Sequence, residues 1–369
     1  MLPRPKIADP FRTGGPPRRS FLAGLAALGA GALIEAQTPG AAPHRIDVHN
    51  HVAPPGYIAE LTRMGLTQAA LQAWTPAKAL EDMDRGGVAT SITSMSPPGI
   101  WFSDDATARR IARICNEYEA RLAADHPGRF GMFVNLPLPD IDGSLREIEY
   151  GFDTLKADGV CFYTSYGDKW LGDPAFAPVY EELNRRKVVA YTHPISAYCC
   201  RNVLPGVGDG AIEWGTDTTR AITRMVFGGA AARYPDIRMI FSHAGGTMPF
   251  LVERFINMAK GAQYAAQLPQ GFLASAKKFY YDTAQTSNPA AMSALTKVIP
   301  TSQIVFGTDF PYRTAAEHVK GLAECGVFGA KELQAIDREN ALTLLPRYRT
   351  PRAARAEAPL TPDANPILR

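Results

Sequence analysis

The run Arg45-Ile46-Asp47-Val48-His49-Asn50-His51 alternates apolar and polar residues and ends in two histidines one residue apart. Along an extended strand, residues i and i+2 face the same way, so His49 and His51 leave its end on one side. Further apolar runs, rich in Val, Ile, Phe and Tyr, lie at 89–95, 129–136, 159–165, 188–193, 237–243, 279–283 and 303–310 and read as buried strands. Helix-period stretches separate them at 106–125, 144–156, 176–186, 217–234, 289–298 and 315–325. In the first of these, Ile111, Ile114, Tyr118 and Leu122 share a face. Such strand–helix alternation predicts an α/β protein with parallel strands joined by crossovers. Eight units closing on themselves predict a (β/α)₈ (TIM) barrel with its site at the C-terminal ends of the strands. The rival, an open doubly wound sheet, would carry a Gly-rich phosphate turn after its first strand, and none follows His51.

The chain has 369 residues, 46% hydrophobic and 20% charged, which suits one large core. Residues 1–43 hold five bases (Arg4, Lys6, Arg12, Arg18, Arg19) and two acids (Asp9, Glu35), a surplus of 5 − 2 = 3. That surplus is the whole net charge of +3, so the remainder is neutral and no nucleic-acid footprint is expected. Arg18-Arg19-Ser20-Phe21-Leu22 opens an Ala/Gly/Leu-rich run ending near Ile34, too short to span a membrane. Paired arginines before Phe-Leu match the twin-arginine export pattern, which predicts a signal peptide and linker over 1–43 and a periplasmic or exported protein. The barrel is expected over 44–349, and the Pro-, Ala- and Arg-rich stretch 350–369 as a disordered tail. The five cysteines have no framework spacing; Cys199 and Cys200 are read as unbridged loop thiols and Cys161 as core.

Four of the seven histidines fall at predicted strand ends: His49 and His51 on the first, His193 on the fifth and His243 on the sixth. Asp309 ends the eighth, in Gly307-Thr308-Asp309-Phe310-Pro311. Polar residues at the C-terminal ends of barrel strands converge on one site. Two imidazoles from one strand, a third from another and a carboxylate suit a divalent ion. His44, His126 and His318 are read as solvent-facing, and Asp282, ending the seventh strand, is either a loop carboxylate or an outer support for the site.

His49-x-His51, His193, His243-Ala244-Gly245-Gly246, Asn135-Leu136-Pro137 and Gly307-Thr308-Asp309-Phe310-Pro311 together resemble the amidohydrolase-related decarboxylases. These are enzymes of the amidohydrolase superfamily that act on aminocarboxymuconate semialdehyde, γ-resorcylate or 6-methylsalicylate. The resemblance spans about 44–346. It implies His49, His51, His193 and Asp309 as metal ligands, with His243 as an acid/base beside the metal and Asp309 sharing the proton handling. It implies Arg254, eleven residues after His243, as a substrate-carboxylate ligand that some members contribute across a dimer interface. A rigid guanidinium fork suits that task. Many hydrolytic relatives bridge two metals with a carbamylated lysine ending the fourth strand. Here that strand reads Val160-Cys161-Phe162-Tyr163-Thr164-Ser165, without lysine, and Lys169 lies too far along, so one metal per chain is expected. Zinc is the leading candidate, with manganese or magnesium as alternatives. Trp101 and Phe102, after the second strand, are candidate walls of an aromatic pocket.

The expected activity is non-oxidative decarboxylation of a small aromatic or unsaturated carboxylic acid by a homodimer. Hydrolysis of a lactone or amide uses the same residues and is the alternative. A non-catalytic exported metal- or ligand-binding protein is a third reading, weakened by His243, which binding alone does not need.

Overall fold

The computed structural model describes residues 43–349; the signal peptide and linker expected over 1–43, all but the last residue, and the tail over 350–369 lie outside the described residues. Eight parallel strands form one sheet in sequential order. They are β1 (Arg45–His51), β2 (Val88–Ser94), β3 (Phe130–Asn135), β4 (Gly159–Tyr163), β5 (Val189–His193), β6 (Arg238–Phe241), β7 (Tyr280–Asp282) and β8 (Ile304–Val305). The last strand returns to the first: Asn50 bridges Phe310 in parallel sense, and the Val48 amide donates to the Phe306 carbonyl at 3.0 Å. The result is the (β/α)₈ barrel that the alternation predicts.

Each strand is buried over nearly its whole length, because helices cover its outer face and side chains fill the inner one. The larger core cluster lies between strands and helices and includes Ile111, Leu122, Phe162, Val179 and Phe241. A smaller one joins Phe133, Tyr191, Ile240 and Val305 to the C-terminal segment around Leu342–Leu345. Tyr191 stacks on Phe133 at 5.5 Å and meets the His49 ring edge-on at 5.2 Å, forming apolar ground behind the histidines.

Helix positions follow the sequence reading, with local differences. The expected helix at 144–156 is Ile141–Glu149 running into a π turn at Tyr150–Thr154, and 217–234 is two helices, Glu213–Phe227 and Ala230–Arg233. No helix among the described residues is long and apolar enough to cross a membrane.

Two sequence expectations are corrected. Cys199 and Cys200 are joined in a disulfide within the tight turn Tyr198–Cys200, their Cα atoms 3.8 Å apart. His318 does not face solvent: it is buried in the helix Ala315–Glu324, its Nδ1 2.8 Å from the Ser287 hydroxyl, and burial pulls its pKa down to about 4. His44 keeps the exposed setting expected of it, beside Asp337.

Candidate metal centre and active site

The strand ends converge as the barrel geometry requires. Between β1 and β2 the register advances three residues on β1 (Asp47 to Asn50) against two on β2 (Ser91 to Thr93), a bulge at the His-x-His segment. Bulges re-aim side chains at strand ends, and here His49 and His51 bring their Nε2 atoms to 3.2 Å. One oxygen of Asp309 lies 3.1 Å from His49 Nε2, 3.0 Å from His51 Nε2 and 3.9 Å from His193 Nε2. One donor atom from each of these four residues lies within 4.8 Å of the others, and all four residues are buried. Among the described residues it is the one cluster of this kind.

The opposite ring nitrogens say what state the cluster is built for. His49 Nδ1 meets the Asp282 carboxylate at 2.8 Å, His51 Nδ1 the Ser94 carbonyl at 3.3 Å and His193 Nδ1 the Pro194 carbonyl at 2.8 Å. An acceptor at each Nδ1 holds the proton there and leaves a lone pair on Nε2. Three lone pairs and a carboxylate then face one small volume, and His193 Nε2 has no hydrogen-bond partner. Such a donor set, three nitrogens and one oxygen, fits a single divalent cation.

The electrostatics agree. Burial opposes charge on Asp309, but the adjacent His49 and the other imidazoles around it hold its carboxyl well below the usual range, so it is ionised. Burial drives His193 well below the ordinary imidazole value and lowers His51, keeping both neutral. On His49 burial is outweighed by Asp282 and Asp309, which raise it to about 10. The negative field that favours a proton on His49 also favours a metal cation.

His243 lies beside this set without joining it. The chain turns sharply after β6, with left-handed φ at His243 (53°), Ala244 (55°), Gly245 (75°) and Gly246 (65°). Gly246 is required there, because a Cβ would run into the Gly215 carbonyl of the neighbouring helix. Asp282 fixes the turn, one oxygen accepting from the His243 amide at 2.8 Å and the Ala284 amide at 3.1 Å. The other oxygen orients His49. Of the two roles open to Asp282 in the sequence, the structure shows the supporting one. His243 Nε2 is 3.5 Å from the second Asp309 oxygen, has no hydrogen-bond partner among the described residues, and belongs to a residue still 8% exposed. The same Asp309 oxygen accepts from Gln285 Nε2 at 2.8 Å.

Above the cluster, loops following β1, β2 and β5 enclose a cavity of about 480 Å³. Its walls include Gln68, Trp101, Phe102, Tyr198, Arg201 and Trp214. Trp214 connects it to the cluster, its ring 5.9 Å from His193. Tyr312 does so from the other side, 5.9 Å from the His51 ring with its hydroxyl on Gln68. Trp101 and Phe102 line this cavity. Arg254 does not line it: it is exposed on the helix Met248–Met258 and has no ion pair or hydrogen bond among the described residues. Trp214, in the first turn of the helix Glu213–Phe227, and Tyr312 and Arg201, in turns, were missed in the sequence, where no local pattern marks them.

The family model for amidohydrolases matches residues 46–347. The chain belongs to the amidohydrolase family. Among the relatives of this amidohydrolase is decarboxylase yanB of Aspergillus niger, 36% identical over 326 residues that cover 83% of this chain and 89% of the relative. The 6-methylsalicylic acid decarboxylase of Penicillium expansum is 33% identical over 320 residues, covering 83% and 97%. A solved dihydroxybenzoic acid decarboxylase from Polaromonas, with bound manganese and the inhibitor 2-nitroresorcinol, shares the fold at a TM-score of 0.71 and 21% identity, covering 83% of this chain and 98% of that one.

Proposed function

We propose that this amidohydrolase is a metal-dependent, non-oxidative decarboxylase of a small aromatic or unsaturated carboxylic acid. His49, His51, His193 and Asp309 hold one divalent ion, and His243 and Asp309 handle the proton. The observation that carries the reading is the unpartnered His243 Nε2, set 3.5 Å from the carboxylate of a complete metal-ligand cluster. A binding protein needs the cluster but not this imidazole. Relatives named as decarboxylases at 33–36% identity over most of the chain support the choice of lyase over hydrolase. Zinc suits a set of three imidazoles and one carboxylate; manganese and magnesium are the harder alternatives.

When bound, the ion supplies a Lewis acid that draws the substrate's oxygens and polarises them. The protein supplies the rest. Trp101, Phe102 and Trp214 offer flat apolar walls to a ring. The ring or alkene carbon that bears the carboxylate accepts a proton from the pair formed by His243 Nε2 and Asp309. The bond to the carboxylate then breaks, carbon dioxide leaves, and the electron pair returns to the π system. No organic cofactor is needed, because the proton fills the place the carboxylate vacates.

We also propose that a second copy covers the helix Met248–Met258. Phe250 is 87% exposed and Met258 40% exposed, and both lie one helical turn from exposed Arg254, so the three share a face. An apolar stripe around an unpaired guanidinium suits burial against a partner, whose site Arg254 would enter. Mixing an inactive His243→Ala chain with an inactive Arg254→Ala chain, under proven subunit exchange, should restore activity through one intact hybrid site.

Incubating metal-loaded protein with a panel of hydroxybenzoates and lactones, while detecting carbon dioxide, tests the activity. Carbon dioxide release supports the decarboxylase. Lactone opening with no carbon dioxide would replace it with the hydrolase.

A further inference from the structure

The cavity over the metal cluster holds a cation whose role nothing above assigns. Arg201 lies on the loop after β5, just beyond the Cys199–Cys200 disulfide, and lines the cavity. Its Nε donates to the Ser196 carbonyl at 3.1 Å, and its guanidinium carbon sits 4.0 Å from the centre of the Tyr198 ring. Tyr198 in turn stacks on Trp101, with centroids 6.1 Å apart and planes 21° from parallel, and its hydroxyl is 3.0 Å from that of Ser103. Trp101 is anchored by its indole N–H on Asp105 at 3.0 Å. Arg201 therefore tops a three-layer stack that joins the β5 loop to the β2 loop. The stack orients a guanidinium that would otherwise lose rotamer freedom on binding.

The terminal nitrogens of that guanidinium form no ion pair or hydrogen bond among the described residues. Asp209, the one acid lining the same cavity, accepts from the Asn202 amide at 2.9 Å instead. An oriented, unpaired fork on an aromatic wall is a receptor for a carboxylate. It stands on the loop side of the cavity, apart from the carboxylate that is lost. The metal cluster, at the inner end past Trp214, is the natural neighbour of the reacting group.

We infer that Arg201 is a specificity residue that holds a second carboxylate of the substrate, on the side of the ring away from the metal. The inference rests on the decarboxylase reading for which carboxylate departs, but the receptor itself can be measured by binding alone. The substrate class is then an aromatic dicarboxylic acid, and the product a monocarboxylate whose remaining acid stays paired with Arg201 until the product is released.

Calorimetry of the metal-loaded full chain with benzoate, isophthalate and terephthalate provides the test. At least one of the two diacids should bind about tenfold tighter than benzoate, the gain of one half-desolvated charge pair. Arg201→Ala should bring that ratio to within about twofold of unity. Arg201→Lys should restore only part of it, because ammonium lacks the fork. The preference should also shrink with added salt, since the site is open to solvent. Because Arg201 is exposed, the variants should keep the wild-type melting temperature; Arg201→Gln, which keeps most of the stem, serves as a second removal of charge. A diacid preference that survives Arg201→Ala but vanishes in Arg254→Ala would move the receptor to Arg254 and overturn the inference. So would the absence of any diacid preference in the wild type. A preference lost in Arg201→Ala, with no carbon dioxide from any acid, would leave the receptor standing and remove the decarboxylase reading.

Discussion

Replacing Asp282 with asparagine changes one atom and should break the metal centre. In the native site one Asp282 oxygen accepts from two backbone amides, those of His243 and Ala284, and the other faces His49 Nδ1 at 2.8 Å. Asparagine has a single acceptor oxygen. If that oxygen serves the two amides, its NH₂ group points at His49 Nδ1, and two donors meet. The conflict is relieved when His49 moves its proton to Nε2, which removes the lone pair from the cluster. If the side chain is turned over, two buried backbone N–H groups meet an NH₂ group, at about 1–3 kcal/mol for each donor left unpaired. The first arrangement is cheaper for the fold and costlier for the metal. Loss of such an outer carboxylate typically weakens metal binding by about 10–100-fold, or roughly 1.4–2.8 kcal/mol. The tautomer conflict places Asp282→Asn at the upper end. Competition against a chromophoric chelator measures the affinity, with thermal unfolding of the metal-free protein alongside. Metal-free Asp282→Asn should melt close to wild type, whereas Asp282→Ala, which orphans both amides, should melt lower. An affinity within about twofold of wild type for Asp282→Asn would refute the argument that Asp282 sets the His49 tautomer.

His193→Ala and His243→Ala should fail differently. The first should empty a centre that otherwise holds about one ion per chain by elemental analysis. The second should retain the ion while kcat falls by about 10²-fold or more, so metal loss from His243→Ala would mean it is a ligand. Glu119 gives a pH signature away from the site: fully buried, it accepts from Thr93 at 2.7 Å and Asn135 at 2.8 Å, and burial raises its pKa from 4.5 to about 8. Its neutral form is favoured in the fold, so its contribution to stability is present below pH 4.5 and is lost as pH rises towards 8. Glu119→Gln should flatten the fall in melting temperature over that range, and an unchanged slope would place the pH dependence elsewhere. Arg18→Lys with Arg19→Lys should retain the protein in the cytoplasm if export uses the twin-arginine route; unaltered periplasmic delivery in a cell fraction would count against it.

The barrel and the meeting of His49, His51, His193 and Asp309 were legible because both are written in strand periodicity. His49 and His51 share a face by alternation, and His193, His243 and Asp309 stand where apolar runs stop. What was left open or missed depends on partners distant in sequence. The sequence left Asp282 between a loop role and a supporting one, because the contact that decides it reaches across 233 positions to His49. His318 is a partial exception. It shares the buried side of its helix with Ala315 and Leu322, at spacings of three and four, so the helical period already pointed inwards. The Cys199–Cys200 bridge and the Arg201 stack belong to a loop, where backbone geometry decides what meets and periodicity carries no information.

The meeting of β1 with the chain after β8 gives the metal ligands a second meaning. Asp47 accepts from the Thr308 amide at 3.1 Å and its hydroxyl at 2.7 Å, and His51 faces Asp309 across 258 positions of sequence. The ion's donors therefore sit on both lips of the seam at which the barrel shuts, so a bound cation is a fastener between the two ends of the folded chain. Closing a loop of that length is costly in chain entropy, and a reversible cross-link at its neck lowers that cost. Ligands that fasten the fold could be retained by a chain that had given up its chemistry. The His243 ring is not one of these fasteners: among the described residues its Nε2 makes no hydrogen bond and only stands 3.5 Å from Asp309. In a barrel of this design, an imidazole at that turn is the better witness to catalysis than the four residues that hold the metal.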